Sequence, residues 1–157
     1  MPKALIAAAL SLALAGPATA LSCLQPNIVA AFSDAAAADE VYVIVQGQFS
    51  DGPGPRPGGT TGGEPRSYES YFSGWTIFAN GPEERMNAPV RIVETCTAEW
   101  CAELPMDTEV LTFLQRDPDG GKPTLLLNAC QGNLFTDPTE EHIEAITTCF
   151  EKGCTAS

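Results

Sequence analysis

Six cysteines, at positions 23, 96, 101, 130, 149 and 154, all lie beyond an apolar N-terminal stretch, and none lies within it. An even number of cysteines in an exported chain implies three disulfides and so a small, stapled domain; spacing alone leaves fifteen pairings open. A second reading stays open. Cys96/Cys101 and Cys149/Cys154 are both C-x₄-C pairs, and two such pairs could build a Cys₄ zinc site, although structural zinc favours tighter spacing. An oxidising compartment favours disulfides over zinc.

The compartment follows from residues 1–20. Lys3 supplies a positive start, Ala4 to Ala15 form an apolar run, Gly16-Pro17 break it, and Ala18-Thr19-Ala20 is an A-x-A cleavage site. This reads as a secretory signal, with the apolar run too short to span a bilayer comfortably. A membrane anchor and lipidation at Cys23 are the competing readings; Leu21 lies one place too close to Cys23 for a good lipobox. Removing 20 of the 157 residues leaves one domain's worth of chain, 137 residues. Lys3 is the leader's one charge, so the formal net charge of −12 becomes −13 on cleavage. Such a surface repels nucleic acid and anionic membrane. It permits a basic partner, and it also serves solubility. No N-x-[ST] sequon is present.

Along the chain, Asn27 to about Ala37 reads as a short helix with Val29, Phe32 and Ala36 on one face. Val41 to Phe49 is rich in β-branched residues and reads as a largely buried strand. Residues 51–66 differ in kind: ten of the sixteen are Gly or Pro, which predicts a flexible loop. Its segment Gly52 to Pro57 is also a candidate ligand for a proline-recognising domain. Further strands are expected over Tyr68–Phe78, Ala88–Thr95, Glu109–Gln115 and Thr124–Ala129. Gly74 marks a bulge or bend in the first of these. Val90 and Ile92, with Glu94 as a candidate third, alternate against Arg91 and Val93. Asn80-Gly81-Pro82 and Asp117 to Gly121 read as turns, the second suggesting a hairpin. A last helix is expected from Asp137 as N-cap, Pro138 at N1 and Glu140 at N3, with Ile143, Ile146 and Phe150 as its apolar stripe and Gly153 beyond its end. The fold class is mainly β: five strands with a helix at each end, read as a small barrel with the helices packed on it.

Catalytic chemistry is sparse. The single histidine, His142, reads as a solvated helix residue with no Ser or Cys nucleophile motif beside it. One imidazole builds no histidine-based metal site within the chain. The carboxylates are numerous but scattered, and Glu140, Glu141 and Glu144 suit the helix dipole. Trp75 reads as core. Trp100 sits between Cys96 and Cys101, either as an exposed anchor or as a cap on the barrel end.

The order of these pieces resembles the TIMP-like and netrin-like (NTR) module, which implies a five-stranded OB-fold-like Greek-key barrel with an N-terminal and a C-terminal helix packed on it. The resemblance runs through Ser22-Cys23, Ala31-Phe32, Ala38-Asp39-Glu40-Val41-Tyr42, Ile77 to Gly81, Cys96 after the third strand, and Leu125 to Cys130. It covers most of the mature chain. It implies that Cys23 pairs with Cys130 and tethers the N-terminus, leaving Cys96–Cys101 and Cys149–Cys154 as the simplest remaining pairs. Inhibitors of this family chelate a protease zinc through an N-terminal C-x-C. This chain has one cysteine there, and Leu21 takes the place of the first.

The resulting expectation is an exported, non-catalytic binding module without cofactor or metal, acting on a protein or envelope component in a secreted or periplasmic setting. Leu21, Ser22, Cys23 and Trp100 are the candidate binding surface. A protease inhibitor acting through Leu21-Ser22-Cys23 is the alternative reading, and a small carboxylate-based hydrolase a lesser one.

Overall fold

A computed structural model describes residues 23–57, 64–98 and 100–154. The leader, Leu21, Ser22 and the middle of the Gly/Pro stretch lie outside the described residues. The fold is mainly β, with two helices and a mixed sheet. The elements are α1 (Ile28–Ala37), β1 (Tyr42–Asp51), β2 (Arg66–Phe78), β3 (Gly81–Glu94), β4 (Cys96–Thr97), β5 (Trp100–Cys101), β6 (Glu109–Gln115), β7 (Thr124–Leu127), β8 (Leu134–Thr136) and α2 (Glu140–Lys152).

The strand pairings return on themselves. β1 pairs antiparallel with β2 and with β6, β2 with β3, and β3 runs parallel to β7. β7 meets β6 at one position, Gln115 opposite Thr124. The period of two along each strand then sorts side chains to two faces. Val45, Phe49, Phe72, Val90, Ile92, Leu114 and Leu125 point inside and form one core. On the outside, Ile44, Ile77, Leu111 and Phe113 form a second core with Ile28 and Ala31 of α1 and Ile146 of α2. β6 serves both cores, so Val110 to Leu114 are all buried, with Thr112 the one polar residue among them. Each fully buried Leu, Ile or Phe is worth roughly 1.5–3 kcal/mol relative to exposure. Phe32 and Phe150 lock the two helices together edge to face at 5.1 Å.

Gly74 sits opposite Gly47 in the β1–β2 ladder. A Cβ at Gly74 would lie 2.6 Å from Gly47 Cα and 2.8 Å from Phe72 Cζ. The backbones close up there and the Phe72 ring covers the pair. Gly74→Ala is therefore expected to cost about 1–3 kcal/mol, read as a lower urea midpoint. Gly54→Ala, with open space around it, should leave the midpoint unchanged.

Several expectations are corrected. The third strand begins at Gly81, not Ala88, because a two-residue turn at Ala79-Asn80 lets it zip against β2 from the Phe78–Gly81 pair onward. Gly81 takes φ +97 to leave that turn, a conformation that glycine adopts at least cost. The fifth strand stops at Leu127. β4, β5 and β8 are additional short strands. Asp117 to Gly121 does turn the chain between β6 and β7, through Asp119 N–H to Asp117 Oδ1 at 2.8 Å, but the two strands part after one pair. The last helix is capped by Thr139, not Asp137. Asp137 lies at φ +50 before the helix, and His142 occupies N3. Thr139 N–H donates to His142 Nδ1 at 3.2 Å, and the imidazole lies 5.6 Å from the Phe135 ring. His142 is thus a half-buried helix-capping residue. Trp75 is 40% exposed and carries the Arg85 guanidinium over its ring at 4.7 Å, so it lies outside the core.

Candidate functional site

Cys23 is bonded to Cys130, Cys96 to Cys101 and Cys149 to Cys154. No described cysteine is free and the described residues contain no metal-ligating cluster, so the Cys₄ zinc reading falls. Three disulfides fit an oxidising compartment outside the cytosol. No helix among the described residues is long and apolar enough to cross a membrane.

Two of these bonds meet at one end of the sheet. Thr95, just past β3, donates both its N–H and its Oγ1 to Leu127 O, at 2.8 and 3.1 Å. That ties the base of the β4–β5 hairpin to the end of β7. Three residues on, Cys130 holds Cys23. Gln131 Nε2 closes a second tie by donating to Glu103 O at 2.8 Å. The N-terminal segment, the hairpin and the turn over residues 128–133 therefore form one rim. In the hairpin, Cys96 and Cys101 are directly paired across the two strands as well as bonded. This short closed ladder presents Trp100 outward, 67% exposed; Leu24, next to the tether, is 88% exposed. These are the two most exposed large apolar side chains among the described residues.

A buried charge holds the rim from below. Glu94 ends the inward row Val90, Ile92, Glu94 and is fully buried. Its Oε2 faces Arg66 Nη2 at 2.6 Å, and Arg56 Nη2 lies 3.6 Å from Oε1. Oε1 also accepts from Tyr68 Oη at 2.6 Å and from Leu104 N–H at 2.8 Å. Burial, and then the bond to Glu94, push the Tyr68 phenol well above the usual tyrosine range. The two arginines also reach the chain that leaves the hairpin: Arg66 donates to Ala102 O at 3.2 Å and Arg56 to Leu104 O at 2.7 Å. A charge at this depth is tolerable only when paired and hydrogen-bonded. The cluster meets that condition by drawing β2, β3, residues 102–104 and Arg56 of the Gly/Pro stretch together.

Beside the tether lies an open groove of about 680 Å³. It sits where β6 and β7 part, and Asn133 bridges that opening by donating Nδ2 to Leu126 O at 2.9 Å. Its apolar lining includes Ala31, Tyr42, Phe113 and Leu126, with Asp34 as its one carboxylate among the described residues. A smaller hollow elsewhere contains Glu69 and Asp117, with Glu69 ion-paired to Lys122.

Of the candidate binding residues, Cys23 and Trp100 are brought to the same rim, while Leu21 and Ser22 lie outside the described residues. Glu94, Arg56, Leu24 and Asp34 were not assigned from sequence. Only Glu94 left a signal, as a carboxylate in phase with Val90 and Ile92. The chain matches no protein-family model, no curated protein and no solved structure.

Proposed function

We propose that this chain is an exported, disulfide-stabilised binding module without catalysis, whose rim engages a protein or envelope component. On this reading the closed circuit of β1, β2, β3, β7 and β6 is an OB-fold-like Greek-key barrel of the TIMP-like and netrin-like type. One observation carries the reading: the two most exposed large apolar side chains among the described residues, Leu24 and Trp100, stand at one end of the sheet on segments each fixed by its own disulfide. Large apolar groups held rigidly in water lose little conformational freedom on binding and make efficient anchors.

The reading predicts that Leu24→Ala combined with Trp100→Ala abolishes capture of a native partner from the source envelope while leaving the urea midpoint unchanged. Capture equal to that of the unaltered protein would contradict it.

Inhibition of a zinc protease through Leu21-Ser22-Cys23 is a second reading. The Cys23–Cys130 bond favours it by fixing the processed N-terminus to the rim. It requires inhibition of a metalloprotease by correctly processed protein at micromolar concentration, and absence of inhibition across a panel would end it.

A further inference from the structure

The groove beside the tether combines apolar side chains with a single carboxylate among the described residues. Among the described residues its lining joins Ala31, Phe113, Leu126 and the Tyr42 ring to four side-chain amides, and Asp34 is its one charged side chain. Among the described residues Asp34 is exposed and makes no ion pair. Glu40 adds a second negative charge near the Tyr42 end, close enough to act on the Tyr42 phenol. Among the described residues no Lys, Arg or His lines the groove. Around it the mature chain carries a formal −13, from the −12 of the whole sequence less Lys3. A low-dielectric trough with carboxylates at its edge, on a protein of this charge, concentrates cations and disfavours anions.

We infer that this groove takes an apolar side chain adjacent to a Lys or Arg from an extended segment of a basic partner protein. The inference rests on the binding-module reading and adds the partner's chemistry. The apolar side chain fills the opening between Phe113 and Leu126. The neighbouring cation stands at Asp34, outside the apolar part of the lining, where it keeps part of its hydration. The exposed Leu24 borders the same groove, so the groove and the rim form one continuous contact.

The test uses the processed, oxidised protein, ¹⁵N-labelled, titrated with acetyl-Ser-Gly-Leu-Lys-Gly-Ser-amide. Amide shifts are expected to be confined to residues 24–35, 113 and 126–133. Replacing the peptide's Leu by Ala should weaken binding by about tenfold or more, and replacing its Lys by Glu by about fivefold. Asp34→Lys should invert the second preference, so that the Glu peptide binds better than the Lys peptide; Asp34→Asn should abolish it. The same spectra report that both variants are folded. Equal binding of all three peptides, shifts mapping elsewhere, or no shifts at about 5 mM peptide, where a ~1 mM Kd would nearly saturate, would each overturn the inference. Crosslinking from positions 24 and 100 needs no peptide, so a failed titration with intact rim crosslinks rejects the groove alone, whereas absence of rim crosslinks rejects the binding-module reading.

Discussion

Glu94→Gln is expected to cost about 3–5 kcal/mol, because it leaves buried positive charge facing a neutral amide. The side chain keeps its size, so the loss reports charge and not packing. Glu94 is fully buried, Arg66 is 16% exposed, and their closest approach is 2.6 Å. Domains of this size are stable by only about 5–15 kcal/mol, so the variant should unfold at a much lower urea concentration. Arg56→Met is the control. Arg56 is 29% exposed and stands 3.6 Å from the same carboxylate, and pairs of that kind contribute about 1 kcal/mol or less. A small effect from both variants would mean that Glu94 is not the charge on which the base of the rim depends. Equal large effects would mean that the loop contact through Arg56 carries as much as the buried pair.

Removing the tether is the second large effect. Cys23 and Cys130 are 107 residues apart, whereas Cys149 and Cys154 are 5 apart. Loop-closure entropy assigns about 4.7 kcal/mol to a crosslink over ~100 residues and, by the same relation, about 2 kcal/mol to one over five. Cys23→Ser with Cys130→Ser should therefore destabilise about twice as much as the matching Cys149/Cys154 double variant, compared by urea unfolding. The reverse order would show that the short C-terminal loop holds α2 more strongly than the long loop holds the whole chain. The Cys23/Cys130 variant should also lose the fixed position of Leu24 while Trp100 stays in place, because Trp100 depends on the separate Cys96–Cys101 bond.

The elements legible in the sequence were those with internal reasons to form. Val110 to Leu114 alternates between two apolar faces and has one reading, and the Glu109–Gln115 strand emerged with its ends correct. Asn27 to Ala37 was legible because alanine favours helix, and Asn27 caps it through Oδ1 to Ala30 N–H at 3.0 Å. The first half of β3 was illegible. Gly81 to Met86 holds a proline and three charges, and only its pairing with β2 makes it a strand. The N-cap of α2 was misplaced because Asp137, Pro138 and Glu140 satisfy the local pattern, while the chain at Asp137 adopts φ +50 and the helix starts later. Trp75 was misplaced because its size suggested core, whereas the strand's period puts it on the face of Tyr71 and Ser73.

The candidate site was legible in part. The cysteines marked which segments are stapled, and Trp100 between two of them read as either an exposed anchor or a cap on the barrel end; the structure leaves it 67% exposed. The groove was not legible, because its walls come from residues 23–27, α1, β1, β6, β7 and the 128–133 turn, which only the fold brings together. Asp34 is one acid among many in the sequence. Only the fold sets it apart, as the one charged side chain among the described residues that line the groove.

The central claim is that the stapled rim is a binding surface, and site-specific photo-crosslinking in the source cell tests it most directly. A photoreactive residue at position 24 and, separately, at position 100 should capture the same partner, while one at position 119, on the exposed β6–β7 turn, should capture none. Different products from positions 24 and 100, or the same product from position 119, would contradict the account.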